Sequence, residues 1–174
     1  MKKRYKMVRH QKILSLVNNF IEPSIMKIKR ARKIKTTPHK DIEKLLNIFF
    51  PKTKYMSSHH GFFKHVFIIH SDKRFIVLKE GKSKDIRKDY NTYQKIPKNV
   101  RNRYFAKIYW RSSGGKFMLQ KYGKNKKVPE KEEERLKQIG KKYWLKDIRE
   151  ANIMFVDNKF KIIDAERIKR KKKH

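Results

Sequence analysis

The sequence predicts an α+β fold, in which a small antiparallel sheet with one helix is followed by a short helical part and preceded by N-terminal helices. Three observations carry this prediction. Apolar residues recur at helical spacing up to about residue 50, and from about residue 61 they follow the shorter period of strands. Pairs of apolar segments are joined by short polar turns, which is the pattern of hairpins. A helix with an acidic first turn separates the last two hairpins.

The N-terminal third is predicted to be helical. Pro23 is expected to end the first helix, and Thr37 is expected to cap a second helix that has Pro38 in its first turn and stops at Pro51. The apolar residues of the first helix are Ile13, Leu16, Val17, Phe20 and Ile21.

The remaining elements follow in the order strand-strand-helix-strand-strand, then helix, loop and hairpin. Pro129 opens the last helix, and an Asp157-Asn158 turn closes the last hairpin. The predicted strands are 61–69, 74–79, 104–110, 116–122, 153–156 and 160–163, and the predicted helices are 84–96 and 130–143.

The composition is strongly basic. Of 174 residues, 50 are Lys or Arg and 16 are Asp or Glu, which gives a formal charge of +34 and predicts attraction to polyanions. Apolar residues make up 37%, so we expect a folded core rather than a disordered basic tail. The absence of cysteine excludes disulfides and thiolate zinc sites. No stretch approaches the roughly 20 apolar residues of a membrane span, and we expect a cytoplasmic protein.

The segment from residue 146 to residue 164 carries the strongest chemical pattern. Asp147 precedes Asn152 by five residues in a loop after a helix, and a short hairpin then ends at Asp164. Phosphoryl transfer needs a carboxylate at the incoming hydroxyl and oxygen ligands for magnesium. The loop is expected to present Asp147 and Asn152 on one side, and the hairpin is expected to return Asp164 beside Asn152. The plainer alternative is a polar loop capped by Asp147 and an ordinary hairpin.

This segment resembles the catalytic loop and the metal-binding segment of protein kinases. Upstream, the apolar strand that ends at Lys79 resembles the strand carrying the phosphate-binding lysine of that family. Gly61, with Val66 after it, resembles a degenerate glycine-rich loop, and the segment from Gln120 to Tyr122 resembles the hinge that holds adenine. Taken singly, each upstream feature is also compatible with an ordinary strand or turn. The resemblance covers residues 55–166 and rests on their joint order.

The resemblance implies a kinase-like small lobe over residues 55–123 and a truncated large lobe over 124–168, after a basic helical extension (1–54) and before a basic tail (169–174). It implies ATP and Mg²⁺ as cofactors, with Asp147 as the catalytic residue and Asn152 and Asp164 as metal ligands. Asp89 stands where the family usually has a glutamate paired to the lysine, and Asp85 is the alternative for that position. The implied nucleotide-binding residues are Lys79, Gly61, Val66, Asp89, Gln120 and Tyr122.

Several positions depart from the family pattern. Leu145 stands where the family commonly has His, Lys146 where it has Arg or Gly, and Ala165-Glu166 where Phe-Gly follows the metal-binding aspartate. Because ten residues follow Asp164 in this sequence, we expect neither an activation segment nor the remaining helices of a large lobe. The pattern is therefore most similar to small bacterial or archaeal Ser/Thr kinase relatives.

Two functional hypotheses follow from the sequence. The first is a phosphotransferase whose acceptor is a protein Ser or Thr, or alternatively a small-molecule hydroxyl. The second is an inactive kinase-like scaffold that binds nucleic acid or another polyanion through its basic surface. Retention of Lys79, Asp147, Asn152 and Asp164 favours the first, because an inactive scaffold is expected to have lost at least one of them.

Overall fold

The computed structural model describes residues 10–34, 37–56, 64–71 and 74–167. The chain divides into two units. The first comprises Met1–Arg87 and Ile108–Gln120, and the second comprises Lys88–Lys107 and Lys121–His174. Gly61 and the basic tail that begins at residue 169 lie outside the described residues, so the predictions made for them stay predictions.

The N-terminal helix is longer than the sequence predicts. Helix α1, over the described residues 10–16, continues through a π-helical turn, Val17–Ile21, into α2, Glu22–Arg32. The prediction that Pro23 ends this helix is wrong. The N–H of Glu22 already donates to the carbonyl of Val17 across the π-helical turn, and Pro23 lies in the first turn of α2, where a missing N–H costs least.

Helix α3, His39–Phe49, ends before Pro51 as predicted. The predicted cap at Thr37 is wrong, because the N-cap residue is Pro38. Thr37 is buried, and its hydroxyl has no hydrogen-bond partner among the described residues. The side chain of Thr37 is therefore directed inward instead of toward the helix end.

A five-stranded sheet forms the rest of the first unit, in the order β1-β2-β3-β5-β4. The pairs β1–β2, β2–β3 and β4–β5 are antiparallel, and helix α4, Ser83–Lys95, follows β3. This arrangement confirms the α+β class. The strands are β1 (Lys54–Met56), β2 (Lys64–Ser71), β3 (Arg74–Gly81), β4 (Ile108–Arg111) and β5 (Phe117–Lys121).

Several short elements were not predicted, including the two-residue strands at 145–146 and 166–167 that are described below. Strand β1 adds a short edge to the sheet, and helix α5, Lys98–Tyr104, follows α4. The strand expected to begin at Tyr104 begins instead at Ile108.

The N-terminal helices cover one face of the sheet. A single buried cluster joins residues of α1, the π-helical turn, α2 and α3 with residues of β2, β3, β4 and β5. Because side chains alternate along a strand, the strand residues of this cluster define which face is covered. The cluster's strand residues are Phe67, Ile69, Ile76, Leu78, Trp110, Phe117 and Leu119.

The second unit is built around helix α6, Glu130–Lys142, and the hairpin of β7, Ile153–Val156, with β8, Lys159–Ile162. Both were predicted. Asp157 and Asn158 have φ of 50° and 61°, so the hairpin closes through a two-residue turn with left-handed backbone at both positions. A second, short pair joins β6, Leu145–Lys146, to β9, Glu166–Arg167.

No helix in the described parts of the chain is both long enough and apolar enough to cross a bilayer.

Candidate functional site

The loop after α6 brings Asp147 and Asn152 into direct contact. The side-chain amide of Asn152 donates to the backbone carbonyl of Asp147 at 2.8 Å and to its carboxylate at 3.0 Å. The sequence expectation that the two side chains lie together is therefore met by a specific pair of hydrogen bonds. Because the nitrogen of the Asn152 amide points at Asp147, its oxygen points away from that residue and has the chemistry of a cation ligand.

Arg149 makes the other contact of the Asp147 carboxylate. Its Nε lies 3.0 Å from Oδ1, while Oδ2 accepts from Asn152. No role was predicted for Arg149 from the sequence. The available signal was a cation two residues after a candidate catalytic aspartate, which is weak in a chain with 50 basic residues.

The loop is held in place by its neighbours on both sides. Asp147 has φ of 63°, a left-handed conformation that aspartate tolerates better than most residues. Next to it, Ile148 is buried against α6 at Gly140, where a Cβ would come within 2.2 Å of the Ile148 Cδ1. On the far side, the Glu150 carboxylate accepts from the backbone N–H of Val128 at 3.1 Å. The loop geometry thus depends on close packing at Gly140 and on one side chain to backbone bond.

Backbone pairing in the last hairpin brings Asp164 close to Asn152 along the chain ends of the two strands. In the β7–β8 hairpin, Ile153 pairs with Ile162, and the N–H of Ile163 donates to the carbonyl of Asn152 at 2.9 Å. Asp164 is the next residue and is half-buried. The hairpin therefore returns the second aspartate to the strand end where Asn152 lies, as the spacing predicts.

The hairpin itself is fixed through Lys161. Its ammonium donates to the carbonyl of Asn102 at 2.9 Å, and the N–H of Ala106 donates to the carbonyl of Ile162 at 2.9 Å. Burial lowers the pKa of Lys161 from its ordinary value. These contacts tie the strand that leads to Asp164 to helix α5 and the residues after it.

The donor set fits magnesium better than a metal that needs a full protein cage. The site offers one carboxylate and one amide oxygen, and magnesium commonly binds one or two carboxylates together with phosphate oxygens and waters. Within the described ranges, no group of three His, Cys, Asp or Glu side chains is placed to hold a metal ion. A two-residue site of this kind therefore depends on ligand phosphates to complete the coordination.

The first unit places three predicted nucleotide-binding residues on one face of its sheet. Lys79 lies directly across from Val66 in the β2–β3 ladder. Phe67, Leu78 and Leu119 belong to the cluster under the N-terminal helices, so their strand neighbours Val66, Lys79 and Gln120 face the other way. This is the sheet face opposite the N-terminal helices.

Burial distinguishes these residues from the exposed basic residues of the chain. Lys79 is 5% exposed and Gln120 is 3% exposed. Asp89 is half-buried in the part of α4 that belongs to the second unit, and Tyr122 is half-buried just after β5. Among the described residues, Lys79 and Lys161 are the two buried lysines, whereas lysine side chains are mostly exposed in folded proteins.

Comparison with known proteins adds no relative: no protein-family model, curated protein or solved structure matches the chain.

Proposed function

We propose that the protein is an ATP- and magnesium-dependent phosphotransferase of protein-kinase-like type. One observation carries the proposal. The Asn152 amide is hydrogen-bonded to Asp147, and the bond from Ile163 to the Asn152 carbonyl sets Asp164 immediately beyond. A carboxylate that can meet a hydroxyl, and two oxygen ligands that can meet a cation, thus follow one another along a single loop and hairpin.

Asp147 orients the acceptor in this proposal. Its carboxylate accepts a hydrogen bond from the acceptor hydroxyl and takes up the proton as the oxygen attacks the terminal phosphorus of ATP. The bond from that phosphorus to its bridging oxygen breaks, and ADP leaves. In this proposal Arg149, whose Nε lies 3.0 Å from the same carboxylate, balances negative charge on the transferred group.

Asn152 and Asp164 hold the metal in this proposal. Magnesium bound there would neutralise phosphate charge during transfer, which is the chemistry it supplies in this class of reaction. The Asn152 oxygen points away from Asp147, so the side chain can bind the cation while its nitrogen keeps the carboxylate of Asp147 in position. The two tasks are thus divided between the two ends of one amide.

The nucleotide contacts are assigned to the sheet face opposite the N-terminal helices. Lys79 binds phosphate, Val66 packs against the base, and the segment from Gln120 to Tyr122 binds adenine. The shared face of Val66, Lys79 and Gln120 supports this assignment. The roles of Gly61 and Asp89 rest on the family resemblance alone.

A protein Ser or Thr is the preferred acceptor, and a small-molecule hydroxyl is the alternative. The test is to incubate purified protein with labelled ATP and magnesium, with and without casein-like acceptors. Label on the protein itself or on the acceptor, dependent on magnesium, supports the proposal. If neither the protein nor the acceptor is labelled, yet ATP binds in the presence of magnesium, the phosphotransferase proposal is wrong. That result would favour the alternative of an inactive scaffold.

The second candidate function is a catalytically weak kinase-like scaffold that binds nucleic acid. The formal charge of +34 favours it, since charge of that size attracts phosphate backbones. Binding of this kind should weaken steeply as salt rises and should not require magnesium. Magnesium dependence therefore separates the two functions.

A further inference from the structure

An exposed tryptophan lies at the end of α6, in a backbone conformation that rarely accommodates a large side chain. Trp144 has φ of 58°, and its backbone N–H donates to the backbone carbonyl of Lys141 at 3.1 Å. This is the left-handed position that follows many helix ends, where glycine is preferred because a Cβ is crowded there. The side chain is nevertheless 47% exposed. Core packing thus explains only part of why a tryptophan stands there.

Trp144 borders a small groove in the second unit. The groove has a volume of about 110 Å³ and lies where the last turn of α4 meets the residues after α6. Two lysines line it and no carboxylate does. Besides Trp144, its lining residues are Thr92, Lys95, Ile96, Lys142, Tyr143 and Leu145.

We propose that this groove binds a base of a single-stranded nucleic acid, with Trp144 as the stacking platform. Aromatic side chains beside lysines are the usual means by which proteins hold single strands without reading their sequence. Lys95 and Lys142 line the same groove and supply cations for the phosphates next to a stacked base. A cationic ligand would also favour an aromatic face, but the two lysines oppose it. A duplex keeps its bases stacked on one another and offers none to Trp144.

The site does not rest on the phosphotransferase assignment, in which Trp144 has no role. Either function can fail while the other stands. If both hold, a single-stranded nucleic acid bound at Trp144 becomes a candidate regulator or tether of the transferase.

The test compares the parent with Trp144→Gly and Trp144→Phe. Glycine suits the left-handed backbone but removes the buried half of the indole, so Trp144→Gly should melt somewhat below the parent, and a cooperative melting transition is confirmed for both variants before binding is measured. The probes are a labelled oligo(dT) 12-mer, an abasic oligomer of the same length, and heparin, all at about 0.3 M salt to suppress non-specific charge binding. Oligo(dT) affinity should fall roughly 5- to 100-fold in Trp144→Gly, the range for loss of one base-stacking contact, and less in Trp144→Phe.

Two controls isolate stacking from charge. Heparin and the abasic oligomer should bind the parent and Trp144→Gly equally, because neither offers a base. Oligo(dT) should also quench the fluorescence of Trp144 in the parent, while Trp110, 8% exposed, contributes little change. Equal oligo(dT) binding by the parent and Trp144→Gly would overturn the proposal. Equal losses of affinity for oligo(dT) and for heparin would overturn it as well.

Discussion

Replacing Asp147 by asparagine separates the proposed catalysis from folding. The variant keeps the shape of the side chain and can still accept a hydrogen bond from Asn152, but it loses the charge that faces Arg149 at 3.0 Å. The two side chains of that ion pair are 53% and 43% exposed, so the pair is worth no more than about 1 kcal/mol of unfolding free energy. Transfer should fall roughly 10²-fold or more, the scale typical of a positioned general base.

The assay measures the initial rate of label transfer from ATP beside the dissociation constant for ATP with magnesium. A 10²-fold loss corresponds to about 2.7 kcal/mol of activation free energy, well above the expected change in stability. The matched control is Asp157→Asn, which removes a carboxylate from the same unit at a hairpin turn position where asparagine is favoured. Binding should survive in both variants. If Asp147→Asn transfers phosphate as fast as Asp157→Asn, the role given to this loop is wrong.

Three further predictions concern other parts of the chain. Lys79→Met should weaken ATP binding and transfer together, measured by titration and by rate, because it removes a proposed phosphate contact while keeping the volume. Gly123→Ala should lower the urea-derived unfolding free energy by about 1–3 kcal/mol, since its Cβ would come within 2.6 Å of the Met154 Cβ; an unchanged midpoint would contradict this packing. Lys161 has a pKa lowered below the ordinary 10.5, so the unfolded chain binds more protons in the interval between the two values. The unfolding free energy should therefore rise with pH across that interval. In Lys161→Gln the unfolding free energy should rise less with pH than in the parent.

Much of the fold follows from local sequence rules. The acidic first turn of α6 and the Asp157-Asn158 turn are strong local signals, and both elements lie where they were predicted. Weak signals account for the misses. Helix α5 buries only Val100 among its described side chains, so it shows no apolar period, and β1 has only three residues. The prediction that the first helix ends at Pro23 was wrong because sequence rules do not anticipate a π-helical turn.

The candidate site was also predicted only in part from the sequence. The chemistry of phosphoryl transfer predicted that Asp147 and Asn152 lie together, although five extended residues could separate them by about 17 Å. Spacing could not give the hydrogen bonds between them, the ion pair with Arg149, or the packing of Ile148 on Gly140. Those depend on side-chain directions and on residues distant in the chain. The sequence pattern likewise did not show which face of the sheet the N-terminal helices cover.

Magnesium-dependent stabilisation by ATP tests the central proposal most directly. The measurement is the melting temperature of the parent, of Asp164→Ala and of the charge-matched control Asp157→Asn, each with ATP and with or without magnesium. A ligand at one hundred times its dissociation constant stabilises the folded state by about 2.7 kcal/mol. We predict that magnesium adds to the ATP-induced shift in the parent and in Asp157→Asn, and that it adds nothing in Asp164→Ala. The proposal would be contradicted if magnesium does not change the ATP-induced shift in the parent. It would also be contradicted if magnesium adds as much to the shift in Asp164→Ala as in the parent.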